Sequence, residues 1–186
     1  MRVITGSARG RVLLPVAGMD VRPTTDKVKE AVFSAIQFEV EGARVLDLFC
    51  GSGQMGIEAL SRGAQSCVFV DSSRASQDVT KKNLAATALM KQARVAAMDY
   101  QMFLRSSKDT FDLVFLDPPY SKGFVQDALP LVAPLVSEHG VILCEHERSD
   151  QPPLSFCGFV RTKEYRYGRI SISAFRRRGP KEEAQE

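Results

Sequence analysis

Tryptophan is absent, and histidine occurs only twice, at His139 and His146. The four cysteines (Cys50, Cys67, Cys144, Cys157) form no CxxC pair and follow no framework spacing. A zinc centre or a disulfide scaffold therefore lacks a donor set, and a reducing cytoplasm is the expected location. No apolar run reaches the roughly 18 residues of a membrane span. The opening MRVITGSARGR lacks the apolar core of a secretion signal. What remains is an ordinary globular composition, 44% hydrophobic and 25% charged over 186 residues. That length suits one domain with one full core.

The net charge of +3 is unevenly spread. Residues 1–30 hold six basic side chains against three acidic, and residues 161–178 hold seven against one. Residues 31–160 hold eleven against fifteen. A mildly acidic middle thus lies between two basic ends. Such ends suit phosphate contacts, or else two solvated faces that never meet.

Along the chain, residues 2–5 and 11–14 read as a short hairpin. Thr24, Thr25 or Asp26 caps a helix whose apolar face is Val28, Ala31, Val32, Ala35 and Ile36. Short apolar strands then alternate with helices. The strands are 44–49, 67–71, 94–99, 111–117 and 141–145. The longest helical stretch is 72–90, with Val79, Leu84 and Ala88 facing inward. Pro130 and Pro134 should kink or split the helix at 124–138. This alternation predicts an α/β fold with a parallel sheet covered on both faces. Residues 159–165 and 169–175 flank Tyr167-Gly168 and read as an antiparallel hairpin at one sheet edge.

Strand one runs through Asp47 into Cys50-Gly51-Ser52-Gly53, then a helix. Glycines let a ligand approach the backbone, and open α/β sheets bind ligands beyond their strands' carboxyl ends. Gly51 to Gly56 also satisfies GxGxxG, the dinucleotide spacing. Asp47 before the glycines would repel a pyrophosphate. Asp71 and Asp99 end the next two strands. Three acids at successive strand ends suit a cationic nucleoside, and S-adenosylmethionine fits. Asp47 would face its amine, Asp71 its ribose and Asp99 its adenine amino group. The candidate cofactor set is Asp47, Phe49, Gly51, Ser52, Gly53, Asp71, Ser72, Asp99 and Tyr100.

Strand four ends in Asp117-Pro118-Pro119-Tyr120, the candidate catalytic set. Paired prolines fix the backbone and remove two amide donors. Asp117 and the Pro118 carbonyl can then accept both hydrogens of a planar exocyclic amine, turning its lone pair toward a methyl donor. Tyr120 offers a stacking face for a base.

These motifs resemble class I S-adenosylmethionine-dependent methyltransferases with a DPPY motif. More narrowly, Arg9-Gly10-Arg11, Arg22–Asp26, Ala43–Gly53, Ile57–Ala64 and Phe111–Tyr120 resemble the RsmD family. The resemblance spans residues 1 to about 176. It implies a Rossmann-like, mainly parallel seven-stranded sheet with an antiparallel C-terminal hairpin and an N-terminal β-hairpin extension. It implies a methyltransferase domain at 43–178 behind a basic extension at 1–42, with a disordered tail at 179–186. It implies methyl transfer to N2 of a guanine in 16S ribosomal RNA, guanine 966, during ribosome assembly. Arg9, Arg11, Arg22 and Thr24 would hold RNA near the active-site mouth. The target guanine would leave its stack, and recognition would depend on the shape of a partly assembled small subunit. A monomer is expected, with no DNA and no membrane partner. Two departures are visible: Cys50 stands where alanine is usual, and Asp71 where glutamate is usual. The alternatives are another amino methyltransferase (on DNA adenine or cytosine, or on protein glutamine) and a non-catalytic RNA-binding assembly module on this fold.

Overall fold

The computed structural model describes residues 1–17, 26–119 and 123–179. Its elements are α1 (Asp26–Ala35), β1 (Arg44–Leu48), α2 (Gln54–Ser61), β2 (Ser66–Asp71), α3 (Arg74–Ala86), β3 (Ala93–Ala97), α4 (Tyr100–Ser106), β4 (Phe111–Leu116), α5 (Phe124–Val132), β5 (Val136–Glu147), β6 (Ser155–Phe156), β7 (Phe159–Tyr167) and β8 (Ile170–Arg177). They build one sheet of order β3-β2-β1-β4-β5-β8-β7-β6. Strands β1 to β5 are mutually parallel, and β8, β7 and β6 add on antiparallel. The two-residue β6 is an eighth strand beyond the seven expected. The chain winds outward from β1 to β3 and returns on β1's other side as β4. The β1/β4 boundary is therefore the topological switch point, where such sheets open a ligand crevice.

Alternate strand residues sort into two apolar layers. Val45, Phe69, Leu113 and Leu143 join α1 and α2 on one face. Leu46, Val68, Val70, Val114 and Ile142 join α4 and α5 on the other. Both faces are covered, which is why the parallel strands are apolar throughout. No described helix is long and apolar enough to cross a membrane.

Three local expectations shift. α1 buries Lys29 and Phe33 beside Val28, Val32 and Ile36, while Ala35 is exposed. The cause is Phe33, whose ring packs 5.5 Å from that of Phe115. α3 stops at Ala86, so Ala88 lies outside it, exposed at φ 59°. Its buried face is largely polar: Ser76, Gln77, Thr80 and Asn83, with Leu84. At 124–138 the α-helix runs through Pro130 to Val132, and a 3₁₀ turn containing Pro134 follows.

The N-terminal hairpin shrinks to one antiparallel bridge, Arg2 with Val12. Val3 N, Gly10 N and Leu13 N still donate across it, to the carbonyls of Arg11, Val3 and Met1, while four outward-facing amides go to α2. Ile4 and Thr5 donate to the Glu58 carboxylate at 2.8 and 3.0 Å, and Ala8 to Ser61 Oγ at 3.0 Å. A Cβ on Gly6 (φ +90°) would lie 1.7 Å from the Ser61 carbonyl oxygen, so only glycine lets this strap lie flat. Glu58 also meets buried Lys29 Nζ at 3.6 Å and Arg62 Nε at 2.7 Å. Lys29 donates to the Arg2 carbonyl as well. Burial lowers the Lys29 pKa, and Glu58 opposes that shift.

Glu58→Ala leaves Lys29 buried without its counter-charge and orphans two amides. It should cost about 3–5 kcal/mol, measurable by chemical denaturation. Replacing Lys29 and Glu58 together by methionine should cost less than Glu58→Ala alone. A larger loss in the double variant would show that the ion pair is not the main strap anchor.

Candidate active site

β1 delivers the chain to the crevice one residue past Asp47, at Leu48. Phe49 then takes φ 64°, strained for a bulky side chain, and Gly53 takes φ 76°. A Cβ on Gly53 would come within 2.9 Å of Thr80, whereas one on Gly51 would meet only open space. The turn is thus packed tightly on one side and open on the other.

Side chains from three elements hold it there. Asp71 Oδ2 accepts from Gly51 N at 2.9 Å, and its Oδ1 accepts from Ser73 N. Asp47 Oδ2 accepts from Gly56 N at 2.9 Å, inside α2. Thr80 Oγ1 donates to the Gly51 carbonyl, and Asn83 Nδ2 donates to those of Ser52 and Leu14. Asn83 Oδ1 accepts in turn from Leu14 N at 2.8 Å. Ser52 Oγ lies 3.5 Å from Met1 Sδ. Cys50 fits its small space, buried, with Sγ 3.7 Å from Thr80 Oγ1.

Asp99 is exposed and caps α4, its Oδ1 accepting from Gln101 N and Met102 N. Ser72 is exposed between β2 and α3. Phe49, Tyr100 and Phe124 form an aromatic cluster with ring centroids 4.8–5.8 Å apart. Gln54, first residue of α2, is buried with Oε1 lacking a partner among the described residues. An open-sided glycine turn, carboxylate acceptors with spare lone pairs, aromatic rings and an orphaned amide oxygen fit a cationic adenine nucleoside. Gln54, Thr80, Asn83 and Phe124 were not singled out from the sequence. An orphaned or clamping amide shows itself only once its partners are placed.

Asp117 follows β4 directly, and its amide donates to the Leu48 carbonyl across the switch point. Pro118 is buried and Pro119 exposed. The strand register gathers three acids on one sheet face. Asp47 pairs with Phe115 and Phe115 with Leu143. Asp117 and Glu145 each lie two residues further on, so they share that face. Burial raises the Asp117 pKa well above the carboxylate range, with further pushes from Glu145 and Asp47. Burial likewise pushes Asp47 up to about 7, against the Gly56 hydrogen bond. Neighbouring His146 faces the other way. Its Nδ1 donates to the Glu147 carbonyl, so Nε2 accepts from Ser173 Oγ at 2.9 Å.

Two of the four expected RNA contacts, Arg9 and Arg11, lie in and beside the turn of the strap. Arg9 and Arg11 are exposed on the strap. Its turn is pinned to Ser61, at the end of α2 remote from the glycine turn, because Glu58 and Ser61 capture the strap's amides. Arg22, Thr24 and Tyr120, and residues 180–186 of the tail, lie outside the described residues. The basic C-terminal hairpin is largely committed internally. Arg176 pairs with Glu39, Arg166 with Glu164, and Arg177 donates to two carbonyls. A groove of about 490 Å³ opens at the opposite end of the strands, around the starts of β1 to β4, where Arg44 pairs with Asp112 and Arg94 with Asp109.

Residues 1–176 match the family described as Conserved hypothetical protein 95. A Bacillus subtilis protein named "Putative rRNA methyltransferase YlbH" is 41% identical over 184 residues, covering 96% of this chain and all of the relative. The Escherichia coli "Ribosomal RNA small subunit methyltransferase D" is 31% identical over 179 residues, covering 95% and 90%. A solved structure, "Putative methyltransferase yhhF from Escherichia coli", superposes with a TM-score of 0.85 at 31% identity, covering 95% and 97%.

Asp47 binds a proton more tightly folded than unfolded. Its contribution to stability is therefore complete below about pH 4 and is lost as pH rises through about 7. Asp47→Asn keeps an acceptor for Gly56 N and carries no charge. Its melting temperature should match wild type near pH 5 and exceed it by several degrees at pH 8–9, at about 2–4 °C per kcal/mol. A difference that does not change with pH would refute the raised pKa.

Proposed function

The chain belongs to the Conserved hypothetical protein 95 family, and from that membership we propose an S-adenosylmethionine-dependent RNA methyltransferase. Its target is the exocyclic N2 amine of a guanine in small-subunit ribosomal RNA, guanine 966, presented by an assembling particle. The observation that carries this reading is the placement of Asp117-Pro118-Pro119 across the switch point from the glycine turn, joined to it by the Asp117–Leu48 backbone hydrogen bond. The names of full-length relatives supply the ribosomal RNA substrate.

S-adenosylmethionine supplies a sulfonium-bound methyl group, and the C–S bonding pair stays on sulfur when that methyl leaves. The protein's part is positioning and proton handling. Asp71 accepts from ribose hydroxyls, and Asp99 from the adenine amine through the oxygen its helix cap leaves free. Asp47 faces the amine end, with Phe49 and Tyr100 packing on the nucleoside. The Asp117 carboxylate and the Pro118 carbonyl each accept one hydrogen of the guanine amine, which aims its lone pair along the displacement line. Tyr120 stacks on the flipped base. Burial and two neighbouring acids raise the proton affinity of Asp117, and the positive charge of the methyl donor would favour the carboxylate form that accepts from the amine. Arg9 and Arg11 reach RNA phosphates away from the reacting base. The shape of the assembling particle contributes to recognition.

Asp117→Ala should lower kcat about 10²–10⁴-fold while cofactor affinity by calorimetry stays nearly unchanged. Equal loss of both would mean Asp117 belongs to the cofactor site instead. With wild type, labelled cofactor and unmodified small subunits, the label should map to a guanine N2. Label on adenine, cytosine or protein would refute the substrate.

A further inference from the structure

The crevice is lined by carboxylates, and RNA is a polyanion. A flipped base can sit beside Asp117 only if cations at the rim hold its backbone. The turn of the strap, which carries Arg9, is pinned at the other end of α2. The substrate side of the rim is formed by β5 and the β7–β8 turn. β5 runs level with β4, Leu116 pairing with Cys144, so Arg148 stands four residues beyond that pair. It lies about 10 Å above the level of Asp117. β5 pairs antiparallel with β8 up to Glu147–Ile170, and the two-residue turn Gly168-Arg169 joins β7 to β8 at this same height. A hydrogen bond from Arg148 N to the Arg169 carbonyl, 3.0 Å long, ties the two positions together.

Both arginines are exposed, and neither side chain has a hydrogen-bond or ion-pair partner among the described residues. The acids around them are engaged elsewhere. Glu164 is held by Arg166, Asp150 accepts from Gln126, and Glu147 has interactions of its own. Their height above Asp117 is comparable to the reach from a base's exocyclic amine to its own backbone phosphate.

We propose that Arg148 and Arg169 form a two-point clamp for the RNA phosphates flanking the methylated nucleotide. The clamp rests on the RNA methyltransferase reading above and names where the backbone enters the site. Arginine suits the task, because its planar fork binds phosphate oxygens in pairs. Two anchors on a backbone-linked knuckle fix the strand's direction as well as its position.

The test compares Arg148→Ala/Arg169→Ala with Lys91→Ala/Lys108→Ala, which removes the same charge from exposed sites at the opposite end of the strands, ahead of β3 and β4. Binding of unmodified small-subunit RNA is measured across a salt series, with cofactor affinity, melting temperature and steady-state methyl transfer. The arginine variant should bind RNA on the order of tenfold more weakly at physiological salt. Its log–log salt slope should be shallower by about one to two. KM for RNA should rise with kcat, cofactor affinity and melting temperature within twofold or a degree or two of wild type. An unchanged slope, or an equal change in the lysine control, overturns the clamp. If wild type itself transfers no methyl group to the particle, the functional reading fails first; an active wild type with an unaltered arginine variant refutes the clamp alone.

Discussion

The turn between β1 and α2 has backbone amides that no strand can pair, and side chains must take them. Phe49 and Gly53 sit at positive φ, which turns the chain away from the sheet. Asp71 reaches across from β2 to Gly51 N, and Asp47 reaches along to Gly56 N within α2. A buried donor left unpaired costs about 1–3 kcal/mol, so these two carboxylates fix the start of α2 and with it the helix's direction. The polar face of α3 follows from the same need. Thr80 and Asn83 point inward because the carbonyls of Gly51 and Ser52 require donors. Asn83 extends the network to Leu14. Glu58 and Ser61, placed by α2, then capture the strap. The carbonyls and amides of one turn thus propagate into the position of a helix face and of the N-terminal segment.

The parts that were legible in the sequence are those whose signal is local. Apolar strands between helices, the glycine turn after Asp47 and the Asp117-Pro118-Pro119 ending all announce themselves by residue type and spacing. So does the Tyr167-Gly168 hairpin, which the structure builds as β7 and β8. The parts that were not legible depend on partners distant in the chain. α1 was read by its small apolar residues, yet it buries Lys29, because Glu58 waits on a helix about thirty residues later. The polar buried face of α3 reads as a solvated face until the turn carbonyls beside it are known. Residues 2–5 have strand-like texture and Val3 N does pair with the facing strand, but Glu58 of α2 takes the amides of Ile4 and Thr5, which no local pattern announces. Charge counts stay ambiguous for a related reason. Seven basic residues near the C-terminus suggested a binding surface, and several are bound internally by Glu39, Glu164 and backbone carbonyls.

The acid cluster is where stability and function pull apart. Asp47, Asp117 and Glu145 share one sheet face, and Glu145 and Asp47 both raise the cost of ionising Asp117. A sequence selected for stability alone would place neutral residues there, since buried charges without counter-ions are expensive. The cost falls when positive charge or a dense set of N–H donors enters the crevice. A sulfonium, an ammonium and an amino-bearing base edge each provide one or the other. The free protein therefore holds a site whose electrostatic strain its ligands relieve, so that affinity is gained where stability was given up. The same field repels a phosphate backbone, and this forces a division of space. On the proposed function, carboxylates line the floor where the cation and the base would sit, and the two clamp arginines stand at the rim where the phosphates would pass. On that reading, a nucleic acid would meet the floor only through a base that has left its stack.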